Sequence, residues 1–512
     1  MTDISGEFEL HLTAEGHDAE RLRIFATDNG MKFSHIVLDR GTHTSQPMLT
    51  LRGSGTLTEQ IELGRQWARR MRQADLGCRR IKAEAAPDNE GVPRTDAQAV
   101  ADRYFEHHVK LLLPDDELTR RIELAMLVTP HHARLSRNAY RERPDGAQER
   151  FVTQRCHHAG RATAHARLTQ LLAVLRETGY PILQVEEEYV GYDSWLAMDD
   201  GWLTPPPRQE NWEPGLEDRM RTAPAGREMY PSTYQPIEAN GVRQRGYFDP
   251  ALKQFFHAYQ AGNPVFADPA AGQAWRDARW AAILAALGAI ADSPFADQLV
   301  LRGSVPLLAI FGDRAREPGD LDFVVTPPTM SIRSWQAKEL LDGVTAAAGF
   351  RTDEVSIEDI WTYERAAGKR LLFPFQADGL PRGSIQLDFV FHEPLPLPAE
   401  LIVLDGLDAP ILAAPPALAL AWKLQWLATD SYPQAKDLYD AMLLAEHTDA
   451  DPDLVRELIR PELGTLTDEF GPETVLAWSM DWANCHDQYP GLPLDGLDWQ
   501  DRLALAMTRF WH

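Results

Sequence analysis

Asp320 and Asp322 stand two apart at the head of an apolar run, Asp-Leu-Asp-Phe-Val-Val, that ends at Val325. On an extended strand alternate side chains share a face, so the two carboxylates fall together while Leu321 and Phe323 point the other way. Two like charges on one face repel, and they lose hydration, unless a cation sits between them. Mg²⁺, or Mn²⁺ in its place, suits that position and usually brings substrate phosphates with it. A third acid, Asp388, stands alone in the run Ser-Ile-Gln-Leu-Asp-Phe-Val-Phe from Ser384 to Phe391, where a carboxylate without a partner is costly. Upstream, Leu299 to Arg302 reads as a short strand, Gly303-Ser304 as a tight turn and Val305-Pro306 as the opening of a helix. Free N–H groups at such a turn suit a phosphate. In this order the pieces form a phosphate cradle and a metal clamp, which is what phosphoryl or nucleotidyl transfer requires. A lone Asp-x-Asp is common on solvated strand ends, and Asp388 alone reads as a turn cap or an arginine's partner. The ordered set favours the functional reading.

These residues resemble the nucleotidyltransferase superfamily and, more narrowly, the abortive-infection toxins of the AbiEii type. Arg316 four residues before the first aspartate, then Asp320, Asp322 and Phe323, match that pattern. Pro318 and Gly319 stand where the family tends to place a serine. Lys423 in Ala-Trp-Lys-Leu-Gln-Trp-Leu follows in the family's order, and so does Lys436-Asp437-Leu438-Tyr439-Asp440. The resemblance covers about residues 275–450 and none of the N-terminal half. It implies an enzyme that moves a nucleoside monophosphate from a nucleoside triphosphate to an acceptor. RNA, such as the 3′ end of a tRNA, is the acceptor it suggests, in a toxin or phage-defence role with an antitoxin protein as partner. Asp320, Asp322 and Asp388 would be the catalytic and metal-holding residues. Gly303, Ser304, Arg316 and Lys423 would bind the nucleotide. The alternative within this chemistry is a transferase acting on a protein or a small molecule.

The elements that must position these residues form an α+β chain of 512 residues. Residues 1–203 read as a duplicated α+β domain, with β-α-β-β-α-β repeats at about 6–90 and 103–195. Phe8 to Thr13 parallels Phe105 to Lys110, and Gln46 to Thr50 parallels Glu149 to Thr153. Two such units predict a ferredoxin-like α/β sandwich. Residues 204–268 are rich in proline and glycine and read as a linker. Residues 269–400 read as a nucleotidyltransferase mixed-sheet core and 401–512 as a helical C-terminal domain. Helices are expected at about Ala270–Ile290, Ser334–Ala348, Pro416–Ala428, Tyr432–His447 and Pro452–Ile459.

The duplicated half offers a second chemistry. His11 and His108 occupy corresponding repeat positions, with Thr13 and Lys110 two residues on. Paired histidines on strands can serve as general acid and base in a phosphoesterase. The second repeat carries Lys110 where that pattern needs a hydroxyl. The adjacent pairs His107-His108, His131-His132 and His157-His158 face opposite ways on a strand and cannot chelate one ion there.

Charge and composition narrow the classes. Lys plus Arg is 51 against 76 Asp plus Glu, a net charge of −25. That excludes a general nucleic-acid coat, whose affinity comes from neutralising phosphates, and leaves room for a local basic cleft. No run of ~18 apolar residues predicts a membrane span. No basic-then-apolar leader opens the sequence. Cys78, Cys156 and Cys485 are far apart and give neither a disulfide framework nor zinc spacing, which fits a reducing cytoplasm.

Overall fold

The computed structural model describes residues 3–115, 117–140, 143, 146–203, 239–246, 259–360, 367–430, 433–480, 482, 485, 488, 489, 491, 492 and 497–511. The chain divides into two compact units, Met1–Gln209 and Glu210–His512. The aromatic residues Trp212, Tyr230, Tyr234 and Tyr247, and the short helix expected after Phe248, lie outside the described residues.

The first unit runs β1 (Ser5–Thr13), α1 (Ala19–Asp28), β2 (Lys32–Leu38), β3 (Ser45–Thr56), α2 (Leu57–Gln73), β4 (Arg80–Ala85) and then the same order again. The second round is β5 (Tyr104–Leu113), α3 (Leu118–Val128), β6 (Ala133–Asn138), β7 (Gln148–His157), α4 (Arg161–Glu177) and β8 (Ile182–Asp193). The strands close in the order β1-β3-β2-β6-β7-β5-β8-β4. A sandwich is the expectation from the repeats, but a single barrel is what forms. Its cause is edge pairing: β2 joins β6 and β4 joins β8, so neither four-stranded set keeps a free edge.

Alternation then sorts the side chains of the barrel. Phe8, Leu10, Leu12, Leu49 and Ala83 face outward and pack with Leu22, Ala26, Leu57 and Met71 of the helices. Val109, Leu111, Leu135 and Val152 do the same with Leu124, Leu168, Leu171 and Leu175. The residues between them turn into the lumen, and many are charged. Helix α2 starts where Thr56 and Glu59 cap each other's backbone N–H, a two-way cap that satisfies donors with no partner inside the helix.

In the second unit a hairpin of β9 (Val242–Gly246) and β10 (Tyr259–Phe266) occupies part of the stretch read as linker. Helix α5 (Pro269–Ala291) begins with Asp268 accepting from Ala270 N–H and with Pro269 in its first turn. A 7-stranded sheet follows, in the order β13-β14-β15-β12-β11-β17-β16. Its strands are β11 (Leu299–Arg302), β12 (Leu321–Val325), β13 (Ser356–Ile360), β14 (Gly368–Phe375), β15 (Gly383–Val390), β16 (Glu400–Ile402) and β17 (Ile411–Ala413). Helix α6 (Val305–Phe311) links β11 to β12, and α7 (Trp335–Ala347) follows β12.

One face of this sheet is apolar across its centre. Leu299, Leu301, Leu321, Phe323, Leu371, Phe373, Leu387 and Phe389 pack beneath Trp275, Ile283 and Leu287 of α5 and Leu340 and Val344 of α7. Phe323 and Phe389 stack with ring centroids 5.4 Å apart. The other face carries Val300 and Val324, packed against Leu418 and Trp422 of α8 (Pro416–Thr429). That face also carries the polar residues. The helices after it are α9 (Ala435–His447), α10 (Pro452–Leu463), α11 (Pro472–Leu476) and α12 (Leu497–Met507).

Candidate active site

Strand register brings the acids together. β12 and β15 run parallel as neighbours, with Asp322 directly beside Asp388. β11 places Arg302 opposite Asp322, and β14 places Arg370 opposite Asp388. A single cross-strand row therefore reads Arg302, Asp322, Asp388, Arg370. Asp320, just ahead of β12, completes the acidic group: ligand oxygens of Asp320, Asp322 and Asp388 all lie within 4.8 Å of one another.

Both carboxyls of this row are held above the usual range. Burial pushes the Asp322 carboxyl well above the usual carboxylate range, and the charges of Asp320 and Asp388 push it the same way. Burial also raises Asp388, and this outweighs the opposing pull of Arg370. Arg370 grips Asp388 with two bonds, Nε to Oδ1 and Nη2 to Oδ2, both 2.8 Å. Gln386 Nε2 donates to Asp388 Oδ2 at 3.1 Å and reaches Asp320 Oδ2 at 3.4 Å. Arg302 is almost fully buried, pairs with Glu393 at 2.6 Å and lies 5.3 Å from the ring centres of both Trp422 and Trp426.

The Gly303-Ser304 turn fits tightly against the acids. Gly303 has φ +78°, and a Cβ built on it would lie 2.4 Å from Asp322 Oδ2. Only glycine gives that backbone at no steric cost and lets the carboxylate come so near. Ser304 opens α6, is buried, and its Oγ has no hydrogen-bond partner among the described residues. An orphaned buried hydroxyl costs about 1–3 kcal/mol, which a bound polar ligand would relieve.

Arg316 and Lys423, expected at the phosphates, are engaged by carboxylates of α9. Arg316 bonds Asp440 through Nε at 3.0 Å and Nη2 at 2.9 Å, and Tyr489 Oη at 2.8 Å. Lys423 Nζ meets Asp437 at 2.5 Å and Asp440 at 2.9 Å. Burial alone would depress the Lys423 ammonium, but Asp437 and Asp440 outweigh it and raise it. Burial likewise opposes ionisation of Asp437, yet Lys423 brings its carboxyl down to about 2. The charge of Lys423 also acts on Asp322.

This ion network holds the loop that delivers Asp320. Tyr439 Oη donates to Arg314 O at 2.7 Å, and the Arg279 guanidinium donates to Gly319 O. Lys338 on α7 is exposed and pairs with Asp342 one turn on.

Sequence reasoning passed over Arg370, Gln386 and Arg279. A signal existed for the first two. Gln386 lies two residues before Asp388 on the same strand face, and Lys369-Arg370 opens an apolar strand next to it. No local pattern pointed to Arg279, which acts across 40 residues of sequence.

The two histidines of the first unit both turn into the barrel. His11 Nδ1 lies 3.0 Å from Thr50 Oγ1 and its Nε2 2.8 Å from Glu84 Oε2. His108 Nδ1 lies 3.0 Å from Thr153 Oγ1, with Nε2 3.2 Å from Glu106. His107 faces the opposite way and bonds Gln154.

Among the described residues no helix is long and apolar enough to cross a membrane. No curated protein matches the chain. Residues 285–503 match the model of the family described as nucleotidyl transferase AbiEii toxin, type IV toxin–antitoxin system. That span contains the whole charged row, the Gly303-Ser304 turn and the α9 ion network, so this segment is a nucleotidyltransferase domain similar to the AbiEii toxins.

Proposed function

We propose that the chain transfers a nucleoside monophosphate from a Mg²⁺-bound nucleoside triphosphate to a hydroxyl of RNA, with a tRNA 3′ end as the favoured acceptor. The carrying observation is the in-register placement of Asp322 and Asp388 with Asp320 in reach. Three carboxylates so close, two of them raised by burial, form an all-oxygen donor set that suits a hard divalent cation. Asp320 and Asp322 would hold the ion, with Asp388 at its edge, and the ion when bound would neutralise charge on the phosphate oxygens.

The chain's own groups do the rest. Ser304 Oγ and the backbone of the Gly303 turn donate to the triphosphate. The acceptor hydroxyl attacks the α-phosphorus, forming a new O–P bond. The bond to the bridging α–β oxygen breaks and pyrophosphate leaves. Asp388 takes the hydroxyl proton, and Arg370 with Gln386 fixes the orientation of its carboxylate. Arg316 bears on the nucleotide by holding the loop before Asp320, and Lys423, with Arg302, by adding positive potential at Asp322. A toxin or phage-defence role with an antitoxin partner follows from what the family implies.

Incubation of the chain with each labelled nucleoside triphosphate, Mg²⁺ and total RNA, or total protein in parallel, tests this reading. Label is expected in RNA, and Asp320→Asn with Asp322→Asn abolishes it while the fold persists. Label in protein alone would move the acceptor to the alternative class. Wild-type transfer by the double variant would overturn the site.

A further inference from the structure

The lumen of the first unit holds a second convergence of metal-ligating side chains. Glu84 on β4, His108 on β5 and Glu188 on β8 each place a ligand atom within 4.8 Å of the other two. These strands are neighbours in the barrel. Glu84 and Glu188 stand at matching places in the two halves: Glu84 opposite Glu9 on β1, Glu188 opposite Glu106 on β5.

Among the described residues the surrounding ion pairs leave Glu188 as the member without a lysine or arginine partner. Lys82 Nζ takes Glu84 Oε1 and Glu106 Oε1, both at 2.6 Å, His11 Nε2 lies 2.8 Å from Glu84 Oε2, and Arg155 takes Glu106 Oε2 at 2.6 Å. Glu106 is thereby satisfied on both oxygens. Glu188 has no lysine or arginine at ion-pair distance among the described residues; His108 Nε2 lies 3.6 Å away, Glu188 contacts the carboxyl of Glu84, and the charges of Lys82 and Glu106 act on it from farther off. Two carboxyls in contact must share a proton or a cation.

The imidazole is set for the second choice. Thr153 Oγ1 occupies Nδ1 of His108, and Nε2 lies between Glu106 at 3.2 Å and Glu188 at 3.6 Å. A partner on the far ring nitrogen is what orients a metal-binding histidine. Glu84 is 3 % exposed, whereas His108 and Glu188 keep 24 % and 18 %, so the group is closed at its base and open to an entering ion.

We propose that Glu84, His108 and Glu188 bind a divalent cation in the barrel lumen. One imidazole beside two carboxylates selects ions that accept both donors, Mn²⁺ or Zn²⁺, over Mg²⁺. The same acids work against a bare phosphodiester between His11 and His108, because each Nε2 already faces a carboxylate. The site lies in the first unit, apart from the residues matched by the family model.

The test uses the full chain carrying Asp320→Asn and Asp322→Asn, so that the transfer site does not compete. Mn²⁺ alone is titrated and the free ion followed by paramagnetic resonance; Zn²⁺ alone is then titrated in competition. One bound ion is expected, with a melting temperature raised by the ion. Glu188→Gln and His108→Gln should each weaken binding by about tenfold or more and remove the thermal shift. Glu186→Gln, on the same strand and outside the set, should leave binding unchanged. The ion-free melting temperature of each variant separates a lost ligand from a lost fold. No binding below about 1 mM, or unchanged binding in both ligand variants, would overturn the proposal.

Discussion

Gly303→Ala isolates the contact between the turn and the acidic row. Gly303 takes φ +78°, and left-handed backbone costs an alanine ~1–2 kcal/mol. The added Cβ would also sit 2.4 Å from Asp322 Oδ2, far inside contact distance, so the carboxylate must leave its place beside Asp388. Gly349 separates the two effects. Its φ is +82°, and nothing lies within 4 Å of a Cβ built there. Both alanine variants are therefore expected to lose about 1–2 kcal/mol of stability, seen as a few degrees in thermal unfolding. Only Gly303→Ala should lose transfer. A displacement of ~1 Å at a reacting centre costs on the order of 100-fold, and that is the expected loss. The assay is incorporation of labelled nucleotide into the acceptor, run beside thermal unfolding on both variants. Equal transfer by the two would show that the close approach of Gly303 to Asp322 does not matter for chemistry.

Three further outcomes follow from the same geometry. Asp388→Asn should bind the Mg²⁺ nucleotide almost normally by calorimetry and transfer at least ~100-fold more slowly; weak binding would make Asp388 a primary anchor of the ion. Arg370→Gln removes the group that pulls the Asp388 carboxyl down, so its pKa rises further and the acid limb of the transfer rate should move to higher pH; an unmoved limb would show that Asp388 does not titrate in the rate. Asp437, brought down to about 2 by Lys423, stabilises the fold above its unfolded pKa and loses that contribution as pH falls toward 2. Roughly 2 kcal/mol is at stake, and Asp437→Asn should flatten the stability curve between about pH 4 and pH 2; an unchanged slope would remove Asp437 from the acid response.

Much of the second unit is legible because its signals are local. The run Leu299–Arg302 is the strand it reads as, and Pro306 lies in the first turn of the helix expected there. The helix expected over Ala270–Ile290 spans Pro269–Ala291, and the one over Ser334–Ala348 spans Trp335–Ala347. Alternation on β12 and β15 put Asp322 and Asp388 on the face away from Phe323 and Phe389, as periodicity alone requires. In the first unit, the alignment of Thr50 with Thr153 and His11 with His108 reappears as the same hydrogen bond in both halves.

The parts that were not legible depend on which strand lies beside which. Alternation says that a carboxylate faces one side of a sheet; it does not say what stands next to it on that side. Parallel pairing of β12 with β15 set Asp322 beside Asp388, and antiparallel pairing of β14 put Arg370 against the latter. Barrel closure has the same origin, since the pairings β2–β6 and β4–β8 join edges that are far apart in sequence. Arg316 and Lys423 show the limit most plainly. Their types and order suggested phosphate ligands, yet a buried cation goes to whichever carboxylate the packing brings within reach, and here α9 brings Asp437 and Asp440. Sequence by itself determined the elements, their faces and the residue types that can do this chemistry. Tertiary structure decided their partners, because a charge's neighbours across a sheet or a helix interface are fixed by long-range register and packing, which no local period encodes.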